Sequence, residues 1–196
     1  MCNSMLHNNN IICADNTIKL NPAKSILKYR EGDEIKLNKA DFKETEMIKI
    51  IRTDSKNEDF IELVKNLDAD LAERDGDAHS FYARLNKIDK IRHAVVVYEN
   101  DKPTGCGAIK EYSPNTMEIK RIYTSPESRG KGIATKVLIE LETWATELSY
   151  EKCILETGKN QPEAIRLYKK NGYKLIPNYG KYAGIENSLC FEKQTY

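Results

Sequence analysis

Histidine, tryptophan and paired cysteines are scarce in this sequence. Its 196 residues include three histidines, one tryptophan and five cysteines, and no two cysteines form a Cys-x-x-Cys pair. Structural metal sites need Cys and His at short, repeated spacing, so the sequence predicts no metal site. The scattered cysteines are interpreted as free thiols of a reducing compartment, which favours a cytoplasmic protein.

The sequence also lacks long apolar runs and a charge of one dominant sign. No stretch of 18 apolar residues occurs, so no membrane partner is predicted. The 31 Lys and Arg residues nearly balance 30 Asp and Glu, which leaves a net charge of +1 and predicts no nucleic-acid partner. With 40% hydrophobic residues, the chain has enough apolar side chains to build a globular core.

A change in composition near residue 46 indicates two parts. Residues 1–46 begin with the Asn-rich stretch "MCNSMLHNNN", which has no apolar periodicity. We predict a flexible or loosely attached extension there, because a segment without apolar periodicity has no continuous apolar face to pack against a core. Residues 47–196 carry regular apolar periodicity and are predicted to form one domain.

Strand and helix patterns alternate irregularly through residues 47–196. The predicted order is β-α-α-β-β-β-α-β-α-β-β, with a hairpin at Asn100-Asp101-Lys102-Pro103. A short helix is predicted over residues 78–88, and a long amphipathic helix from about Gly130 to Ser149. Such an order favours an α+β fold of three layers (α/β/α), in which helices cover both faces of a mixed, largely antiparallel sheet.

The segment "SPESRGKGIATKV", Ser125 to Val137, places two glycines at the start of the long helix. The first turn of a helix offers main-chain N–H groups without helical partners, and it carries the positive end of the helix dipole. Gly130 and Gly132 leave these groups uncovered, so the segment predicts a phosphate site. A solvated loop before a glycine-containing helix is the alternative.

Two common phosphate-binding motifs do not fit this segment. A Walker A motif is absent, and a dinucleotide-binding Gly-x-Gly-x-x-Gly would need glycine where Thr135 stands. That fold also needs the turn directly after its strand, whereas Thr124 to Arg129 makes a longer connection.

The segment instead resembles the signature [Q/R]-x-x-G-x-[G/A] of the GNAT superfamily of N-acetyltransferases, through Arg129, Gly132 and Ala134. "MEIKRIYTSPESRGKGIA" and "PEAIRLYKKNGYK" are similar to two characteristic regions of that family, and the resemblance spans residues 47–193. It implies acetyl-CoA as the acyl donor, with its diphosphate on the amides of the glycine segment. The implied cofactor-binding residues are Ile122, Tyr123, Thr124, Arg129, Gly130, Lys131, Gly132, Ile133, Ala134, Thr135 and Gln161.

Acetyl transfer to an amine needs a polarised thioester, a base for the amine and an acid for the departing thiolate. The resemblance implies that main-chain N–H groups near Ile122 to Thr124 polarise the thioester. It places a catalytic base at Glu118, for which a solvated strand face is the alternative. It places the acid at Tyr168, for which simple packing against the sheet is the alternative.

The acceptor is expected at two polar, aromatic loops. One is "LAERDGDAHSFY", which contains Asp77 and His79, and the other is "NYGKYAGIENS", which contains Tyr179 and Tyr182. A primary amine on a small molecule, such as an amino acid or a polyamine, is the predicted acceptor. Acetylation of protein N-termini or lysines, and a CoA-binding sensor without turnover, are the alternatives. Many relatives pair through edge strands, so the resemblance also allows a homodimer.

Overall fold

The computed structural model describes residues 47–75, 88–89 and 91–195, together with the backbone of four short strands before residue 47. Contacts divide the chain into two units, Met1–Glu46 and Met47–Tyr196. In the first unit, β1 (Met5–His7) pairs antiparallel with β2 (Asn10–Ile12). In the same unit, β3 (Thr17–Ile18) pairs antiparallel with β4 (Leu27–Lys28). That residues 1–46 are a loosely attached extension stays a prediction.

The second unit has seven strands, three α-helices and two short 3-10 helices (Pro126–Ser128 and Gly180–Tyr182) among its described residues. In chain order the strands and α-helices are β5 (Ile48–Thr53), α1 (Glu58–Asp75), β6 (His93–Glu99), β7 (Lys102–Ser113), β8 (Thr116–Thr124), α2 (Ile133–Glu147), β9 (Lys152–Gly158), α3 (Pro162–Lys170), β10 (Lys174–Ile176) and β11 (Ser188–Gln194). The strands form one sheet in the order β10-β11-β9-β8-β7-β6-β5. Every neighbouring pair is antiparallel except β8 and β9, which are parallel.

Helices cover both faces of this sheet, so the predicted α+β architecture is confirmed. Val95 and Val97 of β6 contribute to a core beneath α2 and α3, where Val137 and Leu141 of α2 are fully buried. The alternate residues of β6 face a second core beneath α1, which is built around the fully buried Phe60. A strand that is buried on both faces must be apolar throughout. The segment "AVVV" of β6 meets this requirement.

Local signals explain most element boundaries. Asn100 and Asp101 have φ of 52° and 62°, the left-handed pair that a two-residue hairpin turn requires. The predicted hairpin is therefore confirmed, although Lys102 and Pro103 already belong to β7. Pro162 lies in the first turn of α3, where its missing N–H costs no helical hydrogen bond. The short helix predicted over residues 78–88 lies almost wholly outside the described residues.

The predicted start of the long helix was wrong by three residues. Helix α2 begins at Ile133 rather than Gly130 and ends at Glu147 rather than Ser149. Gly130 and Gly132 have φ of 81° and 80°, a left-handed conformation that cannot continue a right-handed helix.

Across the described part of the chain, no helix combines the length and the apolar character that crossing a membrane requires.

Candidate functional site

Strands β8 and β9 pair at one end and part at the other. Their register runs from Thr116 opposite Lys152 to Ile119 opposite Leu155, and the ladder stops there. Beyond it, residues 120–124 of β8 and 156–158 of β9 do not pair with one another. Main-chain groups along this gap are therefore available to a ligand.

A bulge in β8 accompanies the parting. Between the pairs Cys106–Tyr123 and Ala108–Lys120, two residues of β8 lie opposite one residue of β7. Arg121 adopts φ of 62°, and its Nη1 lies 2.7 Å from Oδ1 of Asp68 on α1. Because a bulge bends its strand and increases the local twist, it turns the end of β8 away from β9.

A cleft of about 660 Å³, part of it open to solvent, occupies the gap between the strands. Its walls come from the parted strands, from α1, from α3 with its preceding Gln161, and from the loop before β11. The lining residues are Leu67, Leu71, Glu118, Ile119, Lys120, Arg121, Ile122, Glu156, Thr157, Gly158, Gln161, Tyr168 and Tyr182. Four of the predicted site residues thus meet in one place: Glu118, Ile122, Gln161 and Tyr168.

The start of α2 leaves main-chain N–H groups without helical partners. Its N-cap, Gly132, gives no side-chain cap, and the first main-chain bond of the helix runs from the N–H of Lys136 to the carbonyl of Gly132, at 3.1 Å. The N–H groups of Ile133, Ala134 and Thr135 therefore lack helical partners. A Cβ added at Gly130 or Gly132 would meet nothing within 4 Å, so these glycines serve conformation and open access rather than internal packing.

Close packing of α2 on β7 sets the position of this helix start. A Cβ on Gly107 would lie 2.6 Å from the side chains of Ile122 and Val137 and 2.9 Å from Leu141. A Cβ on Gly105 would lie 2.5 Å from Ile133, the first residue of α2. Only glycine allows this approach, and it holds the helix start beside the end of β8.

The two cations of the glycine segment are engaged by acidic side chains. Nη2 of Arg129 lies 2.8 Å from Oδ2 of Asp70, and its Nε donates to the carbonyl of Thr124. Nζ of Lys131 lies 2.9 Å from Glu99, whose other oxygen accepts from the hydroxyl of Ser128. Hydrogen bonding from Lys131 lowers the pKa of Glu99. These pairs tie the segment to α1 and to the β6–β7 hairpin.

Glu118 lies in an ion pair inside the cleft. Its Oε1 is 3.2 Å from Nζ of Lys120, and the two side chains are 9% and 8% exposed. Tyr179 donates its hydroxyl to the same oxygen, at 3.3 Å, and Nζ of Lys120 lies 3.5 Å from the hydroxyl of Tyr182. Burial, and next the charge of Glu118, raise the pKa of both tyrosines, which keeps both hydroxyls protonated. Glu118 is thus a buried, hydrogen-bonded carboxylate rather than part of a solvated face.

Tyr168 lies on the inner face of α3, and its side chain packs at ring distances of 5.8 Å from Tyr173 and 6.1 Å from Phe191. It is 6% exposed, yet it lines the cleft. Burial, and then nearby Glu156, raise the pKa of its phenol, so the hydroxyl stays protonated. Beside it, Thr157 donates to Oε1 of Gln161 at 3.2 Å, which turns the amide of Gln161 toward the end of β9.

The remaining predicted cofactor residues lie around the end of β8. The side chain of Ile122 faces the cleft and the α2 core, whereas that of Tyr123 packs in the core beneath α1. Burial raises the pKa of Tyr123. The hydroxyl of Thr124 is buried without a hydrogen-bond partner in the described structure. Only main-chain groups of Tyr123 are therefore in a position to contact a ligand in the cleft.

Three charged residues of the cleft lining, Lys120, Arg121 and Glu156, were not predicted as site residues from the sequence. Lys120 is two residues from Glu118 on the same strand, so the strand period alone places both on one face. Glu156, on the part of β9 that has separated from β8, accepts from the hydroxyl of Ser188 at 2.5 Å. Of the predicted acceptor loops, Tyr179 and Tyr182 lie beside Glu118, while Asp77 and His79 are outside the described residues.

Within the described ranges, no group of His, Cys, Asp or Glu could hold a metal ion.

The comparisons with known proteins agree on one family. The family model "Acetyltransferase (GNAT) family" matches residues 57–173, more than half of the chain. An uncharacterized N-acetyltransferase of Bacillus subtilis, YsnE, is 31% identical over 113 residues, which are 55% of this chain and 75% of that protein. A Klebsiella pneumoniae structure described as an acyl-CoA N-acyltransferase is 27% identical with a TM-score of 0.65, and the match covers 76% of this chain and 99% of that one.

A third match shares the fold at lower identity. The PaiA N-acetyltransferase of Thermoplasma acidophilum, solved in complex with coenzyme A, is 18% identical with a TM-score of 0.57. The match covers 76% of this chain and 99% of that chain.

Proposed function

The chain belongs to the GNAT family of acetyltransferases, and on that premise we propose that it transfers the acetyl group of acetyl-CoA to a primary amine of a small molecule. One observation carries the proposal: the parted strands leave unpaired main chain along a cleft, beside the uncapped start of α2. A long ligand with a diphosphate at one end and a thioester at the other suits that arrangement.

The diphosphate would lie on the N–H groups of the first turn of α2. Ile133, Ala134 and Thr135 supply these donors, and Gly130 and Gly132 leave them open. Arg129 and Lys131 act chiefly by holding the segment in place, because Asp70 and Glu99 already neutralise them. The coenzyme A complex of the PaiA protein, which has the same fold, supports this ligand.

The thioester would lie along the unpaired end of β8, where main-chain N–H groups near Ile122 to Thr124 polarise its carbonyl. The amine nitrogen attacks the carbonyl carbon, and the C–S bond breaks as the N–C bond forms. Glu118 takes the proton of the amine, directly or through water, and Tyr168 protonates the departing thiolate. The raised pKa of Tyr168 keeps that proton available at neutral pH.

A small acceptor is favoured by how the cleft is enclosed. Tyr182 of the loop before β11 forms part of its wall, and Tyr179 of the same loop packs on Tyr182 with ring centroids 5.6 Å apart. Leu67 and Leu71 of α1 line the same space. These side chains narrow the cleft, which suits a small amine better than a lysine on the surface of a folded protein. The proposed location is the cytoplasm, since Cys106, Cys153 and Cys190 are free thiols. A homodimer remains a prediction.

Release of free thiol from acetyl-CoA, measured with a panel of small amines and confirmed by the mass of the acetylated product, tests the proposal. Glu118→Ala and Tyr168→Phe should each lower kcat while calorimetric affinity for CoA persists. CoA binding without turnover of any amine would instead support the sensor alternative. Acetyl groups found only on co-expressed protein would support the protein acetyltransferase.

A further inference from the structure

The acceptor end of the cleft contains one ammonium and one carboxylate side by side. Nζ of Lys120 and Oε1 of Glu118 are 3.2 Å apart, and both residues line the cleft. Removing two charges from water costs more than their attraction commonly returns, so a buried pair is poor evidence of a stabilising role. Its place in the wall of a cleft points instead to recognition.

Resting on the proposed function, we propose that the acceptor is zwitterionic, an α-amino acid or a compound with the same adjacent ammonium and carboxylate, and that Lys120 binds its carboxylate. In an α-amino acid both charged groups are attached to one carbon, so their separation is comparable to that of the Lys120–Glu118 pair. When the acceptor lies antiparallel to the ion pair, its carboxylate faces Lys120 and its ammonium faces Glu118. The amine then lies at Glu118, the group proposed to take its proton.

The balance of charge around the cleft argues against a polyamine. Its lining includes two acidic residues, Glu118 and Glu156, and two basic ones, Lys120 and Arg121, of which Arg121 is already paired with Asp68. A third cation, Lys181, lies with its Nζ 5.2 Å from the ring centroid of Tyr182. Partial burial, and then the charge of Lys120, lower the pKa of Lys181, so the two ammonium groups act on one another. A ligand with several positive charges would meet these cations without a compensating excess of carboxylates.

Two tyrosines hold the ion pair in position when no acceptor is bound. Tyr179 donates to Glu118, while the hydroxyl of Tyr182 lies within 3.5 Å of Nζ of Lys120. Lysine has three N–H donors, so Lys120 can bond Glu118, Tyr182 and a ligand carboxylate together. The acceptor therefore need not break the pair in order to bind.

The test measures steady-state acetylation with three sets of acceptors: the common L-amino acids, their methyl esters, and the polyamines putrescine and spermidine. The methyl esters keep the ammonium and remove the carboxylate. Lys120→Met removes the ammonium at similar length, and Lys120→Arg retains a positive charge. Lys152→Met is the matched control, because Lys152 is a cation of β9 that pairs with Glu192 and lies outside the lining of the cleft.

We expect the wild type to prefer amino acids over their methyl esters and over polyamines. In Lys120→Met the KM for the amino acid should rise roughly 10- to 100-fold, as expected for a lost charge-assisted hydrogen bond. The KM for the methyl ester should not rise, calorimetric affinity for CoA should be unchanged, and Lys120→Arg should recover part of the loss. The control should behave as wild type.

Other outcomes overturn the inference. If the wild type prefers spermidine or the methyl esters, the acceptor is not zwitterionic, although the proposed function stands. If Lys120→Met impairs acetylation of the amino acid and of its methyl ester equally, Lys120 only positions Glu118. If no amine is acetylated while CoA binds, the proposed function itself fails.

Discussion

Replacement of Gly132 by glutamate tests where the diphosphate binds. Gly132 has φ of 80°, and a Cβ there would meet nothing within 4 Å. The substitution therefore adds backbone strain and one negative charge without a steric clash. Strain of an L-residue in the left-handed region costs roughly 1–2 kcal/mol. In a domain of this size, that lowers the melting temperature by about 2–8 °C.

The effect on affinity comes from charge. A carboxylate about 5 Å from one phosphate charge is repelled by roughly 1 kcal/mol in water and 3 kcal/mol near a protein surface. The repulsion from each phosphate charge therefore raises the Kd for CoA by roughly 5- to 200-fold. We expect calorimetry to show at least a tenfold weaker affinity for CoA at low salt, and a smaller difference at high salt, where screening is strong.

Gly184 offers a matched control elsewhere in the domain. It has φ of 77° and likewise nothing within 4 Å of an added Cβ. Gly184→Glu should lose as much thermal stability as Gly132→Glu while retaining wild-type affinity for CoA. Gly132→Ala should share the loss of stability with little loss of affinity. Equal CoA affinities for the two glutamate variants would refute the placement of the diphosphate at the start of α2.

Three further predictions concern acid catalysis, the loop and the core. Tyr168→Phe should lower kcat by roughly 100-fold and leave CoA affinity unchanged, because only the proton donor is lost; a normal kcat would show that the tyrosine only packs. Glu99→Gln should melt below the wild type near neutral pH, since Lys131 depresses the pKa of Glu99 below 4.5. Because a depressed carboxyl pKa contributes stability that is lost as pH falls through the folded-state pKa, the difference should vanish in acid, and a constant difference would contradict this reasoning. Gly107→Ala places a Cβ 2.6 Å from Val137, which should cost roughly 1–3 kcal/mol by thermal denaturation; wild-type stability would mean that α2 shifts freely.

Elements with strong local signals were predictable from the sequence. The predicted order of strands and helices agrees with the described elements, and Asn100-Asp101 forms the turn that its composition favours. The anion site at the glycine segment stays a prediction, whereas the predicted helix start lay three residues too early. From the sequence, these glycines were considered only as residues with no side chain to cover the main chain. Their positive φ also keeps residues 130 and 132 out of the helix, so the helix begins after them.

The parting of β8 and β9 could not be predicted from local sequence. It coincides with the bulge at Arg121, a residue type with no preference for positive φ. Asp68, which pairs with Arg121, is 53 positions away in the chain, so only the folded arrangement brings them together. The pairing of Lys131 with Glu99, 32 positions apart, is equally remote. The pair Glu118–Lys120, by contrast, follows from the strand period and could have been found.

The engagement of the loop cations bears on how this site would discriminate among ligands. Free cations attract any anion, and that attraction weakens with salt. With Arg129 and Lys131 held by Asp70 and Glu99, the net field at the loop is small, and the directed N–H groups of α2 remain as the main donors. Those donors favour a phosphate whose oxygens match their geometry. The cations therefore contribute by fixing the loop, and for this reason Glu99, which touches no ligand in this scheme, should still influence CoA affinity.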